Sequence, residues 1–274
     1  MTTIGGSRLC RCLAAMALLA GAACAGQPEP TTPAEKSARG DELLRKMSDT
    51  LKNTQAFSVT IAETHEKAGR NGQKSAYTLT REVVVRRPDR LWLHTTGSDE
   101  RNITTAYDGK TVTLVGATQK VWATFPGGSN VDETLDIAGD RYNLRIAAAD
   151  FLYSSPYDSF ADKESTGGWV RRTTVDGRSC EEVSYALKAV DFTLSVASAG
   201  PTLPCQVSIT YKEEPGQPVS KLVFNNWNLT AQPQDGQFVA NVPQGYEQIP
   251  MVERIPKSEL KANAAKAMGA AQRK

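Results

Sequence analysis

The chain is poor in the side chains from which most catalytic and metal centres are built. Its 274 residues include two histidines, His65 and His94, and five cysteines, Cys10, Cys12, Cys24, Cys180 and Cys205. Neither histidine stands at ligand spacing from a cysteine, which argues against a zinc site. No apolar run reaches the roughly 18 residues that a membrane-spanning helix needs. A mean hydropathy of −0.39 excludes a multi-span membrane protein. A large charge of one sign is missing as well. The 32 basic and 30 acidic groups leave a net +2, so no whole-chain basic field attracts nucleic acid. No G-x-S-x-G, H-E-x-x-H or strand-borne G-x-G-x-x-G is present. Gly109-Lys110-Thr111 has the look of a phosphate-binding loop, but Thr104 stands where that loop needs glycine, and the segment reads as a hairpin. With 40% hydrophobic and 23% charged residues, 21 Gly and 14 Pro, the composition is that of a folded chain rather than a collagenous or disordered one.

The charge is unevenly placed. Residues 1–25 carry Arg8 and Arg11 and no acid, and residues 251–274 carry six basic and two acidic groups, so residues 26–250 hold 24 basic and 28 acidic groups, a net of −4. Arg8 and Arg11 precede an apolar run over residues 13–23, the length of a signal-peptide core. Ala23-Cys24-Ala25 offers small residues for cleavage after Ala25. Gly21-Ala22-Ala23-Cys24 resembles a lipobox, with Gly21 in place of the usual branched aliphatic, and on that reading Cys24 carries a lipid. Residues 26–40, with Pro28, Pro30 and Pro33, read as a polar tether. Export removes Cys10 and Cys12 and removes or lipidates Cys24. Cys180 and Cys205 are then left to pair in an oxidising compartment, with two buried free thiols as the alternative.

From Asp41, taken as an N-cap, Leu43, Leu44, Met47 and Leu51 share one face of a helix to about residue 54. The period then changes to two: Phe57, Val59 and Ile61, followed after an Asn71-Gly72 turn by Tyr77, Leu79, Arg81, Val83 and Val85. Leu91 and Leu93, Ile103 to Tyr107, Val112 and Leu114, and Val121 to Phe125 continue an antiparallel meander with an Asp108-Gly109 hairpin. Asn130 caps a helix bearing Val131, Leu135, Ala138 and Tyr142. Asp132, Asp136 and Asp140 form a carboxylate ladder on another stripe, read as a solvated face rather than a cation site. Short helices follow at 148–153 and from Pro156. Strands resume at 169–175, 180–187, 192–196, 207–211 and 221–229, with a last one near 238–242. The sum is one α+β domain over 41–250: a single curved antiparallel sheet of about ten or eleven strands, a leading helix and a central helical insertion. His65 reads as a surface residue, and His94 as a strand residue facing the same way as Trp92.

So large a sheet must bury its apolar face, and few helices are available to cover it. Either the interior is filled, or it keeps an apolar cavity, the usual form of a hydrophobic ligand site. Phe57, Val59, Ile61, Leu79, Leu91, Leu93, Leu114 and Phe125 are the candidate lining residues.

Arg86-Arg87-Pro88-Asp89-Arg90-Leu91, Tyr107-Asp108-Gly109-Lys110-Thr111 and Lys120-Val121-Trp122-Ala123 resemble a progression found in the periplasmic lipoprotein-carrier superfamily of LolA and LolB. More closely, the chain resembles a family of predicted periplasmic proteins of unknown function assigned to that superfamily. That likeness extends to Asp150-Phe151-Leu152-Tyr153-Ser154 with Pro156-Tyr157, Ile209-Thr210-Tyr211-Lys212, Trp227-Asn228-Leu229, Phe238 and Pro243-x-Gly245. The resemblance implies a half-open barrel closed by helices around an apolar interior that in the carriers holds acyl chains. It also implies a release mechanism through an arginine near the Arg-Pro segment, for which Arg87 and Arg90 are the candidates. The simpler role for such an arginine is to fix the turn with Asp89.

The tail over 251–274 is rich in Ala and Lys and reads as solvated, with a marginal amphipathic helix as the alternative. The expected protein is exported, periplasmic and non-enzymatic, without cofactor or metal, and binds an apolar ligand such as an acyl chain. The second reading is an envelope protein with a filled barrel that binds a protein partner; an enzyme is third. Membrane association rests on a lipid at Cys24 alone.

Overall fold

The alternating strands collect into one sheet in the structure, a computed structural model that describes residues 28–68, 73–144, 146, 148–160 and 165–254. The export address, Cys24, the Asn71-Gly72 turn and the tail after residue 254 lie outside the described residues. The chain runs through helix α1 (Pro33–Lys52), then β1 (Ala56–Ala68), β2 (Lys74–Arg86), β3 (Arg90–Gly97), β4 (Asn102–Tyr107), β5 (Thr111–Gly116) and β6 (Val121–Pro126). An insertion follows with α2 (Val131–Asp140), a 3-10 turn (Ala149–Phe151) and α3 (Pro156–Phe160). The second run is β7 (Thr166–Val175), β8 (Arg178–Ala186), β9 (Val190–Ala197), β10 (Pro204–Tyr211) and β11 (Val219–Asn228), then a 3-10 turn (Asp235–Phe238) and β12 (Glu247–Gln248).

The strand order is β12-β6-β5-β4-β3-β2-β1-β11-β10-β9-β8-β7, an unclosed sheet with two edges. Pairing is antiparallel throughout, save that the two-residue β12 runs parallel to β6. The count of twelve exceeds the expected ten or eleven. The last strand also falls later than the expected 238–242. There Phe238 is fully buried, with the Arg86 guanidinium 5.1 Å from its ring centroid, and Pro243 has no N–H for a ladder.

Register places one parity on the concave face. Phe57, Val85, Leu91, Tyr107, Val112 and Phe125 are successive cross-strand partners, as are Val59, Val83, Leu93, Thr105 and Leu114. On the other wing Phe224 pairs with Ile61, and Val207 with Leu194. These rows form a continuous apolar interior covered by α1 and the insertion, as the resemblance implied.

Helix α1 begins eight residues before the expected Asp41, so residues 33–40 belong to the helix and not to a tether. Thr32 is the N-cap: its side chain accepts from the Glu35 amide at 3.2 Å, while the Glu35 carboxylate accepts from the Thr32 amide at 3.0 Å. Pro33 occupies the first turn, where its missing N–H costs nothing. These hydrogen bonds hold the Glu35 carboxyl down at about 2. The extra turns carry Gly40, which crosses β7 at Gly168. A Cβ on Gly168 would lie 2.5 Å from the Lys36 carbonyl, and one on Gly40 2.8 Å from Gly168 Cα, so both positions need glycine. Beside this crossing, the buried Glu181 accepts from Arg39 Nη2 at 2.5 Å and from Trp169 Nε1 at 2.9 Å.

Cys180 and Cys205 form a disulfide. It joins β8 to β10 across β9, because Cys180 is level with Ala197 and Cys205 falls at the irregularity between Pro204 and Gln206. The bridge packs with Val175, Ala197 and Val223 in a small cluster separate from the main core.

Two outcomes are expected. Thr32→Ala should lower stability in urea by about 1 kcal/mol at neutral pH. The Glu35 part of the capping box, whose folded pKa is depressed, should be complete above about 4.5 and fade on acidification towards about 2. Replacing both Cys180 and Cys205 by Ala should cost roughly 3 kcal/mol in the same measurement, and peptides from the unreduced protein should contain the linked pair by mass spectrometry.

A lidded cavity on the concave face

Two adjoining cavities lie between the sheet and the insertion. The smaller, about 130 Å³, sits among β3, β4, β5, β6 and α2, and Leu91, Leu93, Leu114 and Phe125 line it. Four of the eight expected lining residues are therefore brought together. Phe57, Val59, Ile61 and Leu79 line neither cavity; they are buried in packed interior. The larger cavity, about 540 Å³, reaches across β1, β2, β10 and β11, under Phe151, Tyr153 and Phe160 of the insertion. Filled and hollow interior thus coexist along the same cross-strand rows: Phe57 and Val59 are packed, while Leu91 and Phe125, and Leu93 and Leu114, face the smaller cavity.

The larger cavity is polar on one wall. Glu63 and Arg81, 6% and 8% exposed, form an ion pair on its surface. His65 faces inward too, hydrogen-bonded through Nδ1 to the buried Ser220 hydroxyl and packed on Tyr77 with ring centroids 5.1 Å apart. The surface reading of His65 is corrected: it shares parity with Phe57, Val59 and Ile61, and β1 continues to Ala68. His94 stays on the opposite face beside Trp92, 3.0 Å from the Asn102 carboxamide oxygen. Among the described residues no three His, Cys, Asp or Glu side chains converge as metal ligands.

The described residues of 141–160 cover the cavities, and the polar groups around them explain their position. Arg87, whose side chain is 9% exposed, donates through Nη2 to the carbonyls of Leu152 at 3.1 Å and Tyr153 at 2.8 Å. Its nearest carboxylate, Asp132, is 3.9 Å away, and burial pulls the guanidinium pKa down. The buried Nε has no hydrogen-bond partner among the described residues. Arg90 instead binds Asp89, by a 2.9 Å ion pair and a 3.1 Å bond to its carbonyl, so it fixes the turn and does not touch the cover.

The carboxylate ladder is not simply a solvated face. Asp132 accepts from the Ser154 amide at 2.9 Å and hydroxyl at 2.5 Å, and Asp136 from the Tyr153 hydroxyl at 2.7 Å. Burial and the Asp136 carboxylate hold that phenol well above its ordinary range. Asp136 and Asp140 are both exposed, as the solvated reading expects, and Asp132 is half-buried. At the far end of the cover, the Tyr157 amide donates to Ser48 at 3.0 Å, and its hydroxyl contacts Asp41 and Arg45 on α1.

Fold and site together define a curved, unclosed antiparallel sheet whose concave face is covered by α1 and the insertion. The chain belongs to the family described as "Predicted periplasmic protein (DUF2092)", whose model matches residues 40–252. No curated protein matches the chain. Among solved structures it is similar to an uncharacterized conserved protein from Thermus thermophilus, with 8% identity, 76% of this chain and 97% of that one covered, and a TM-score of 0.46. It is similar to a LolA superfamily protein from Nitrosomonas europaea at 12% identity, with 74% and 98% covered and a TM-score of 0.38. Lipoprotein LppX of Mycobacterium tuberculosis gives 16% identity, 74% and 97% coverage and a TM-score of 0.44. Among the described residues no helix is long and apolar enough to cross a membrane.

If Arg87 fastens the cover, Arg87→Leu should speed hydrogen exchange over residues 148–160 by about tenfold or more, the scale of one charge-assisted hydrogen bond. Arg90→Leu should leave that exchange unchanged.

Proposed function

We propose that the protein is a non-enzymatic binder of apolar ligands, of which an acyl chain is the simplest, held between the concave face and the 141–160 cover. The observation that supports this most directly is the unfilled volume beside Leu91, Leu93, Leu114 and Phe125, which lies under α2 and next to the larger cavity. A mostly apolar concavity with a few convergent polar groups is the usual form of a small-molecule site. Arg87 serves as the latch of the cover, in keeping with the carrier resemblance, and Arg90 does not share that role.

The same reading takes residues 1–25 as an export address and Cys24 as the lipid-bearing residue, with a tether shortened to 26–32. A filled-barrel envelope protein that binds a partner is the competing reading. It draws on the dense packing around Phe57, Val59, Ile61 and Leu79.

Titrating the purified protein with the fluorescent fatty acid cis-parinaric acid should give saturable emission that unlabelled long-chain lipid displaces. Leu114→Trp, which fills the smaller cavity, should weaken binding several-fold while thermal stability stays close to that of the parent. Absence of displaceable binding would leave the partner-binding reading in place.

A further inference from the structure

The smaller cavity is mostly apolar, with Thr95, Thr105, Tyr107 and Thr134 among its walls, and carries charge at two residues. Among the described residues the only charged side chains lining it are Arg81 and Arg101, and both also line the larger cavity, so the two guanidiniums stand where the cavities meet. Every described carboxylate on either cavity wall (Glu63, Asp150 and Glu214) belongs to the larger one. Arg81 is buried on β2 in register with Thr95, and it directs Nη1 to Glu63. Arg101, just before β4, directs Nη2 to Asp99 at 2.8 Å, and its guanidinium carbon lies 5.5 Å from the centroid of Tyr77. A guanidinium has five N–H donors in a planar fork, so each arginine retains donors beyond the one given to its carboxylate.

The buried Glu63–Arg81 ion pair is a poor device for stability. Two charges withdrawn from water cost several kcal/mol each, and apolar replacements of a buried ion pair are often neutral or stabilising. Two guanidiniums at the mouth of an apolar cavity are, by contrast, well matched to a planar or tetrahedral anion whose tail is apolar.

We infer that Arg81 and Arg101 form an anion subsite, and that the ligand is an amphiphile with an acidic head, carboxylate or phosphate, at the junction and its tail beside Leu93 and Leu114. The inference rests on the proposed binding of an apolar ligand and names its chemical class. The carboxylates of the larger cavity repel the head from that side and so fix its direction.

The test is calorimetric titration of the purified protein with octanoate, octyl phosphate and 1-octanol, three ligands with one tail and different heads. At least one of the two acids should bind about tenfold tighter than the alcohol, the scale of a charge-assisted hydrogen bond, and the tighter acid tells carboxylate from phosphate. Arg101→Gln, at a partly exposed position that leaves the Glu63–Arg81 pair intact, should bring that acid to the alcohol's affinity without changing the alcohol. Glu63→Gln, which frees Arg81, should tighten the acid a few-fold. Equal binding of acids and alcohol by the parent protein overturns the anion subsite and leaves the apolar site standing. Failure of all three to bind overturns both. Acid preference that survives Arg101→Gln with no gain in Glu63→Gln removes these arginines from the site.

Discussion

An open antiparallel sheet with one apolar face has to hide that face, and in this chain the means of hiding it decides nearly everything else. Twelve strands curl without closing, so the concavity is covered by α1 on one wing and by α2 with the 141–160 segment on the other. The two covers differ in kind. Helix α1 contributes Leu43, Leu44, Met47 and Leu51, all buried, and its backbone touches β7 at a glycine–glycine crossing. The second cover is too short to fill what lies beneath it. What remains unfilled is the volume beside Leu91, Leu93, Leu114 and Phe125.

The contacts of Arg87 follow from the same constraint. A segment with so little regular structure has many backbone carbonyls without helical partners, and these need donors where they are buried. Arg87 supplies donors to two successive carbonyls from a single nitrogen, at the cost of burying a cation whose nearest carboxylate is 3.9 Å away. Asp132 and Asp136 complete the arrangement from the other side, by accepting from the serine and tyrosine of the same segment. The contact is well made but not saturated, since Arg87 Nε has no partner among the described residues. Polar contacts of this kind can be exchanged for water at small net cost.

How much of this could be read in advance depends on the range of the interaction. Period-two alternation located the strands, and register placed Leu91, Leu93, Leu114 and Phe125 on the cavity wall as their parity required. Parity holds more than that: Arg81 and His65 alternate in phase with Val83 and Ile61, so their inward direction is legible too. The early start of α1 is written in the sequence as well, as Thr32-Pro33-Ala34-Glu35, a capping box hidden within a proline-rich stretch. The pairing of Arg87 with carbonyls 65 and 66 residues away is not legible from alternation or spacing. Nor is the division of each row into packed and empty stretches, because that depends on how closely the cover descends onto the sheet.

That descent is uneven, which bears on how the cover can move. Phe151 and Phe160 are buried among Phe224 and Phe192, with ring centroids 4.8 to 5.3 Å apart. Withdrawing each phenyl ring into water would cost about 2 kcal/mol or more. Between these two rings, residues 152–154 are held by hydrogen bonds to Asp132, Asp136 and Arg87, each to a charged group and worth about 1.5 kcal/mol or more. Rings and charged hydrogen bonds therefore restrain one and the same stretch, 151–160, which borders the larger cavity. The smaller cavity is walled instead by α2, Leu144 and Ile146, so the contacts that hold 151–160 do not guard it directly.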